Sequence, residues 1–188
     1  MKRTVCLALA LMLSLSACFS PVPGEEEEKT VGAKSTVNSR SNPAGVNETL
    51  VFECTEFETA FTLEMTLLEV RRGGSALKTV MQADNYNAVP ARGREYILAK
   101  FHIKALQSQN DQAIDPQYMF AVVKADGSTY SDSFAYAGGL PMLSTVYEGG
   151  ATEGYVLFEV DGADKDLLFV FPGYGKSQAW FSAAPTGW

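Results

Sequence analysis

The chain has 188 residues, 46% of them hydrophobic, with a formal net charge of −7 and a single His. An acidic chain without clustered Lys and Arg argues against nucleic-acid binding and polybasic attachment to anionic headgroups. One His, and one Cys beyond residue 18, leave no multi-ligand zinc site in the domain and only one base for a hydrolase triad.

Lys2 and Arg3 begin the chain, and an apolar run follows from Val5 to Leu15. A basic start, about 7–15 apolar residues and a small-residue end make a secretory signal. A membrane-spanning helix needs about 20 apolar residues, so residues 1–17 are expected to be a signal peptide. The run closes on Leu15-Ser16-Ala17-Cys18, which resembles the bacterial lipobox. That resemblance implies cleavage before Cys18 and a thioether-linked diacyl lipid on it. Two acyl chains give stable anchoring, at ~0.8 kcal/mol per buried CH2. The expected lipid partner is thus a bilayer, held through acylated Cys18 on the extracytoplasmic face of the cell membrane. The competing reading is an ordinary signal cleaved near Ala17, leaving Cys18 as a free thiol. Phe19 follows Cys18, so the Asp that resembles an inner-membrane retention signal is absent. Without residues 1–17 the chain keeps 13 basic against 22 acidic side chains, or −9.

Residues 18–48 read as the lipidated Cys followed by a disordered tether. Pro, Gly, Ser, Asn and the run Glu25 to Glu28 cannot bury enough apolar area to repay ordering. About 30 flexible residues span ~30 Å. The acidic run reads as a solvated linker.

From residue 49 the pattern has period two. Leu50, Phe52 and Cys54 alternate with Val51, Glu53 and Thr55, and Phe61, Leu63, Met65 and Leu67 continue in a second strand. Cys54 shares its parity with apolar residues, which points to a buried thiol. Alone in the mature chain, it allows no internal disulfide. Arg71 to Ser75 read as a turn and residues 82–93 as a loop. Glu95 to Ala105 is the clearest strand, with Ile97, Ala99, Phe101 and Ile103 inward and Tyr96, Leu98, Lys100, His102 and Lys104 outward. His102 therefore sits among lysines, without a base partner or second ligand. Tyr118 to Lys124 and Ser128 to Phe134 flank the tight-turn pair Asp126-Gly127. Ala135 to Met142 is an apolar, glycine-broken loop. Glu153 to Val160, Leu167 to Phe171 and Gln178 to Ser182 complete the strands. Asp161, Asp164 and Asp166 lack the Gly and Glu of a calcium loop and read as a solvated turn. No stretch shows a sustained helical period. Seven or more short strands predict an all-β, antiparallel β-sandwich over 49–183, with a short tail over 184–188.

Four segments carry a family resemblance. They are Arg92 to Ile103, Val123 to Tyr130 around Asp126-Gly127, Gly149 to Val160 ending in Phe-Glu-Val, and Asp166 to Val170. Together they resemble a family of bacterial surface lipoproteins with an immunoglobulin-like domain of unknown function, related in fold to a secreted mycobacterial antigen. Asp161 stands where that family usually has Pro. The resemblance implies an immunoglobulin-like sandwich placed outside the cytoplasm. It brings no catalytic or binding residues with it.

The expected function is a non-enzymatic binding or adhesion module with an envelope or extracellular protein partner, without cofactor or metal. Phe134, Tyr136, Leu140 and Met142 are the candidate partner-binding residues, because apolar side chains in a glycine-interrupted loop often mark partners. One rival is an envelope-polymer hydrolase using paired carboxylates. Another is a surface-displayed inhibitor or shield of an enzyme.

Overall fold

A computed structural model describes residues 38–56, 58–130 and 134–186. The signal segment, Cys18 and the run Glu25 to Glu28 lie outside the described residues.

The strands follow the period-two pattern because it places one apolar row on one face of the pleat. β1 (Thr49–Glu56) pairs antiparallel with β2 (Thr59–Arg72), Leu50 opposite Met65 and Cys54 opposite Phe61. Along β2, Phe61, Leu63, Met65 and Leu67 are buried, and so is Val70. The change of parity from 67 to 70 comes from a register shift between Leu67 and Glu69, which face Phe101 and Lys100 of β3 (Arg94–Ser108). An extra residue in one strand turns the following side chains over, so the bulge returns Val70 to the core. β5 (Ala151–Asp161) pairs with the far side of β3. The sheet order is β1-β2-β3-β5, and β4 (Ala121–Val123), β6 (Leu168–Phe171) and β7 (Ala179–Ser182) form a second sheet, order β4-β6-β7.

The two sheets face one another across phenylalanines. Phe101 of β3 lies 5.2 Å from Phe181 and 6.0 Å from Phe169 of the second sheet, and 4.6 Å from Phe120. Phe120 in turn lies 4.8 Å from Phe171. The protein is an all-β, immunoglobulin-like antiparallel sandwich. Its four-plus-three division is that of the constant-type immunoglobulin domain, but here β2 and β3 are neighbours in one sheet, so the connectivity differs.

The sequence pattern suggested no helix, yet α1 (Gly74–Ala83) joins β2 to β3. Its apolar stripe is narrow: Ala76 and Val80, one turn apart, are its fully buried residues. They pack with Tyr96, Leu98, Leu157 and Ala137 in a second apolar cluster on the outside of the first sheet. Tyr96 and Leu98 point outward from the sandwich, as their parity predicts, and α1 covers them there. A helix of this length is marginal in water alone, so the packing stabilises it.

Three further expectations are corrected. Residues 38–48, read as tether, partly pack on the sandwich. Ala44 is buried and bridges Phe181, and the Asn38 amide bonds both ways with Trp180 of β7. Within the expected tail, the Thr186 N–H donates to Val70 O at 3.0 Å. Tyr118 belongs to a 3-10 turn (Pro116–Tyr118) and not to a strand. Beyond the Asp126-Gly127 turn, the described residues of the expected strand form only isolated bridges, Val123 to Thr129 and Phe134 to Phe158, and residues 131–133 lie outside the described residues. The Asp126 side chain accepts from the Ser128 N–H, an alternative to ladder pairing that closes the turn locally.

Candidate partner-binding surface

β5 is an edge strand, and an open edge invites unwanted pairing. The chain from 134 to 147 runs along it as a ragged cover. Phe134 bridges Phe158 and Met142 bridges Tyr155. The Ala135 N–H donates to Leu157 O and the Tyr155 N–H to Pro141 O, both at 2.8 Å. Gln117, 3% exposed, locks the middle of the loop. Its Oε1 accepts from the Leu143 N–H at 2.8 Å, and its Nε2 donates to Tyr155 O at 3.3 Å. A buried amide is retained only when its polar atoms are paired, and both are.

The loop is also fastened to the chain that follows α1. Asn87 Nδ2 donates to Val80 O at 2.8 Å and to Gly138 O at 3.0 Å, while its Oδ1 accepts from the Gly138 N–H at 2.7 Å. Asp84 Oδ1 accepts from the Tyr86 N–H at 2.9 Å and sets the turn before it. One amide thus clamps two loops together.

Of the four candidate residues, the structure presents one freely. Tyr136 is 72% exposed. Phe134 is half-buried, its ring 5.7 Å from Phe158 and 5.3 Å from Tyr118. Leu140 packs against the α1 cluster, and Met142 is half-buried beside Tyr155. Leu143 is buried. Other exposed large hydrophobic residues are Tyr86 at 92%, Val89 at 64% and Tyr118 at 68%. Tyr86 adjoins the Asn87 clamp, and Tyr136 lies two residues before Gly138, so both tyrosines sit on the fastened loops. An aromatic ring inside the polar turn Asp84-Asn85-Tyr86-Asn87 was the available sequence signal for Tyr86.

The other chemistry-bearing residues lie apart. Cys54 is buried, and burial, with Glu56 adding to it, pushes its thiol up to about 12. His102 faces Thr66 and Glu153 across the strands, not Cys54. Four glutamates are engaged by cations: Glu69 by Arg71, Glu95 by Arg72, Glu153 by Lys100 and Glu159 by Arg94. The hydrogen bond from Lys100 holds the Glu153 carboxyl below its ordinary value. Asp164 accepts from the Tyr130 hydroxyl, and Asp161 Oδ1 accepts from the Ala163 N–H at 2.8 Å, so these acids close a turn. No group of three or more His, Cys, Asp or Glu able to hold a metal occurs among the described residues, and no helix there is long and apolar enough to cross a membrane.

No family model matches the chain, and neither does any curated protein. Solved structures do resemble it. A secreted protein from Mycobacterium tuberculosis aligns over 74% of this chain and 97% of its own, at 14% identity and a TM-score of 0.49. A Bacillus subtilis protein described as a lipoprotein aligns over 65% of this chain and 36% of its own, at 13% identity and a TM-score of 0.43. A β-sandwich protein from Clostridium difficile aligns over 80% and 99%, at 12% identity and a TM-score of 0.40.

Proposed function

We propose that this protein is a non-enzymatic binding module, lipid-anchored outside the cytoplasm through Cys18, that takes an envelope or extracellular protein partner on its tyrosine-bearing loops. The observation that carries the reading is the exposure of Tyr86 and Tyr136, 92% and 72%, on loops that Asn87 fastens to one another by hydrogen bonds. A tyrosine offers a large amphipathic contact at low entropic cost, and a stiff loop loses little further freedom on binding. Engagement of Glu69, Glu95, Glu153 and Glu159 by cations supports the non-enzymatic reading over paired-carboxylate hydrolysis.

Replacing both Tyr86 and Tyr136 by Ser is expected to weaken capture of the partner from native envelope by at least about tenfold, since buried interface tyrosines are often hot spots. The thermal midpoint should move by no more than about 2 °C, because surface changes lie within ~0.5 kcal/mol. Undiminished capture by the double variant would remove this surface from consideration. Leu140 is unsuited to the test, because it packs on the α1 cluster.

The anchor has its own test. Cys18→Ala is expected to abolish incorporation of radiolabelled palmitate and to release the processed chain from membranes. Membrane retention equal to that of the native chain would refute lipid attachment at this residue.

A further inference from the structure

A second feature lies apart from the tyrosine loops. Residues 39–41, 124–125, 165–168, 182 and 184 line an open groove of about 640 Å³. In a chain this acidic, the groove gathers three cations, Arg40, Lys124 and Lys165. Arg40 Nη2 donates to Ala125 O at 2.6 Å. Its Nη1 lies 2.7 Å from the point a Cβ on Gly127 would occupy, so the guanidinium uses space left by the glycine. Lys165 Nζ donates to Gly162 O at 2.6 Å. Lys124 Nζ stands 4.4 Å from the Tyr130 ring centre and 4.0 Å from Asp164 Oδ2.

Carbonyl oxygens and a ring face orient a cation without cancelling its charge. Among the described residues neither Arg40 nor Lys165 forms an ion pair with a carboxylate. The hydroxyls of Ser41 and Ser182 add donors, and Leu167 and Leu168 add an apolar part of the lining. Asp166 also lines the groove, and Asp126 lies close enough to feel Arg40 and Lys124. These carboxylates disfavour a dense polyanion. The arrangement suits one isolated negative charge on an otherwise neutral polyol.

We propose that this groove binds a single glycerophosphodiester group, with Arg40 and Lys165 on its unesterified oxygens and Lys124 completing the positive field. The same chemistry occurs in a phospholipid headgroup and in a soluble glycerol phosphodiester. The inference does not depend on the tyrosine loops or on lipidation of Cys18.

The test is calorimetric titration of the full chain in neutral detergent with two probes. One is glycerophosphoglycerol; the other is dihexanoyl-phosphatidylglycerol below its micellar concentration. Binding is expected to weaken steeply between low and physiological salt. Arg40→Gln and Lys165→Gln are each expected to weaken it about five- to tenfold, as for the loss of one charge-assisted contact. Lys78→Gln, an exposed change on α1, should leave it unaltered. Tighter binding of the acylated probe supports the groove with a lipid source, and equal or tighter binding of the soluble probe supports it with a free phosphodiester. Binding of neither probe overturns the proposal. So does binding that Arg40→Gln and Lys165→Gln leave unchanged, or that Lys78→Gln weakens as much.

Discussion

Phe101→Ala is expected to destabilise the sandwich by about 3–5 kcal/mol, the range for deleting a buried aromatic ring. Phe101 has no exposed surface and contacts the rings of Phe120, Phe169 and Phe181. Those partners come from β6, β7 and the residue just before β4, so one ring joins the first sheet to two strands of the second and to the approach to the third. Its removal leaves a cavity that neither sheet can collapse into, because backbone ladders fix both. Small domains have only about 5–15 kcal/mol of stability, so the loss takes a large share of it. Urea denaturation followed by near-ultraviolet circular dichroism measures the effect. A loss below about 1 kcal/mol would mean that the site relaxes and that the ring cluster is not the centre of the fold.

Gly154→Ala is expected to lift the loop cover from β5. A Cβ at Gly154 would stand 2.3 Å from the Met142 carbonyl carbon, 2.4 Å from Leu143 N and 2.6 Å from Met142 O. These are backbone atoms, so no rotamer change relieves the clash. The loop must move, which strains or breaks the Tyr155 to Pro141 hydrogen bond and the Leu143 contact with Gln117. Overpacking costs ~1–3 kcal/mol, and a buried amide left unpaired costs a further ~1–3 kcal/mol. Faster hydrogen exchange at Tyr155 and Leu143, with loss of partner capture through Tyr136, is the expected result. Gly74→Ala is the matched control, because nothing lies within 4 Å of its Cβ position at the start of α1. Unchanged exchange at both amides in Gly154→Ala would show that the cover is not held by this close approach.

Several elements of the fold were legible from residue order. Where one face of a strand is buried, side chains must alternate, so Phe61 to Leu67, Ile97 to Ile103 and Val156 to Val160 declare themselves without any knowledge of their neighbours. The inward parity of Cys54 is of the same kind. The candidate surface was only partly legible. Residues 134–142 are conspicuous as an apolar loop, but composition is blind to which side chains a neighbouring element covers. Leu140 therefore looks as available as Tyr136, although one packs on α1 and the other faces solvent.

By itself, then, the sequence determined the two-faced strands and the all-β class, because both arise from local alternation of apolar and polar residues. Tertiary structure alone decided the rest. α1 depends on Tyr96 and Leu98 offering a second apolar patch to a stripe as narrow as Ala76 and Val80. The bulge before Glu69 depends on pairing with β3. The cationic groove draws Arg40, Lys124 and Lys165 from stretches far apart along the chain. Each needs partners remote in sequence, and no local period encodes which remote residues will meet.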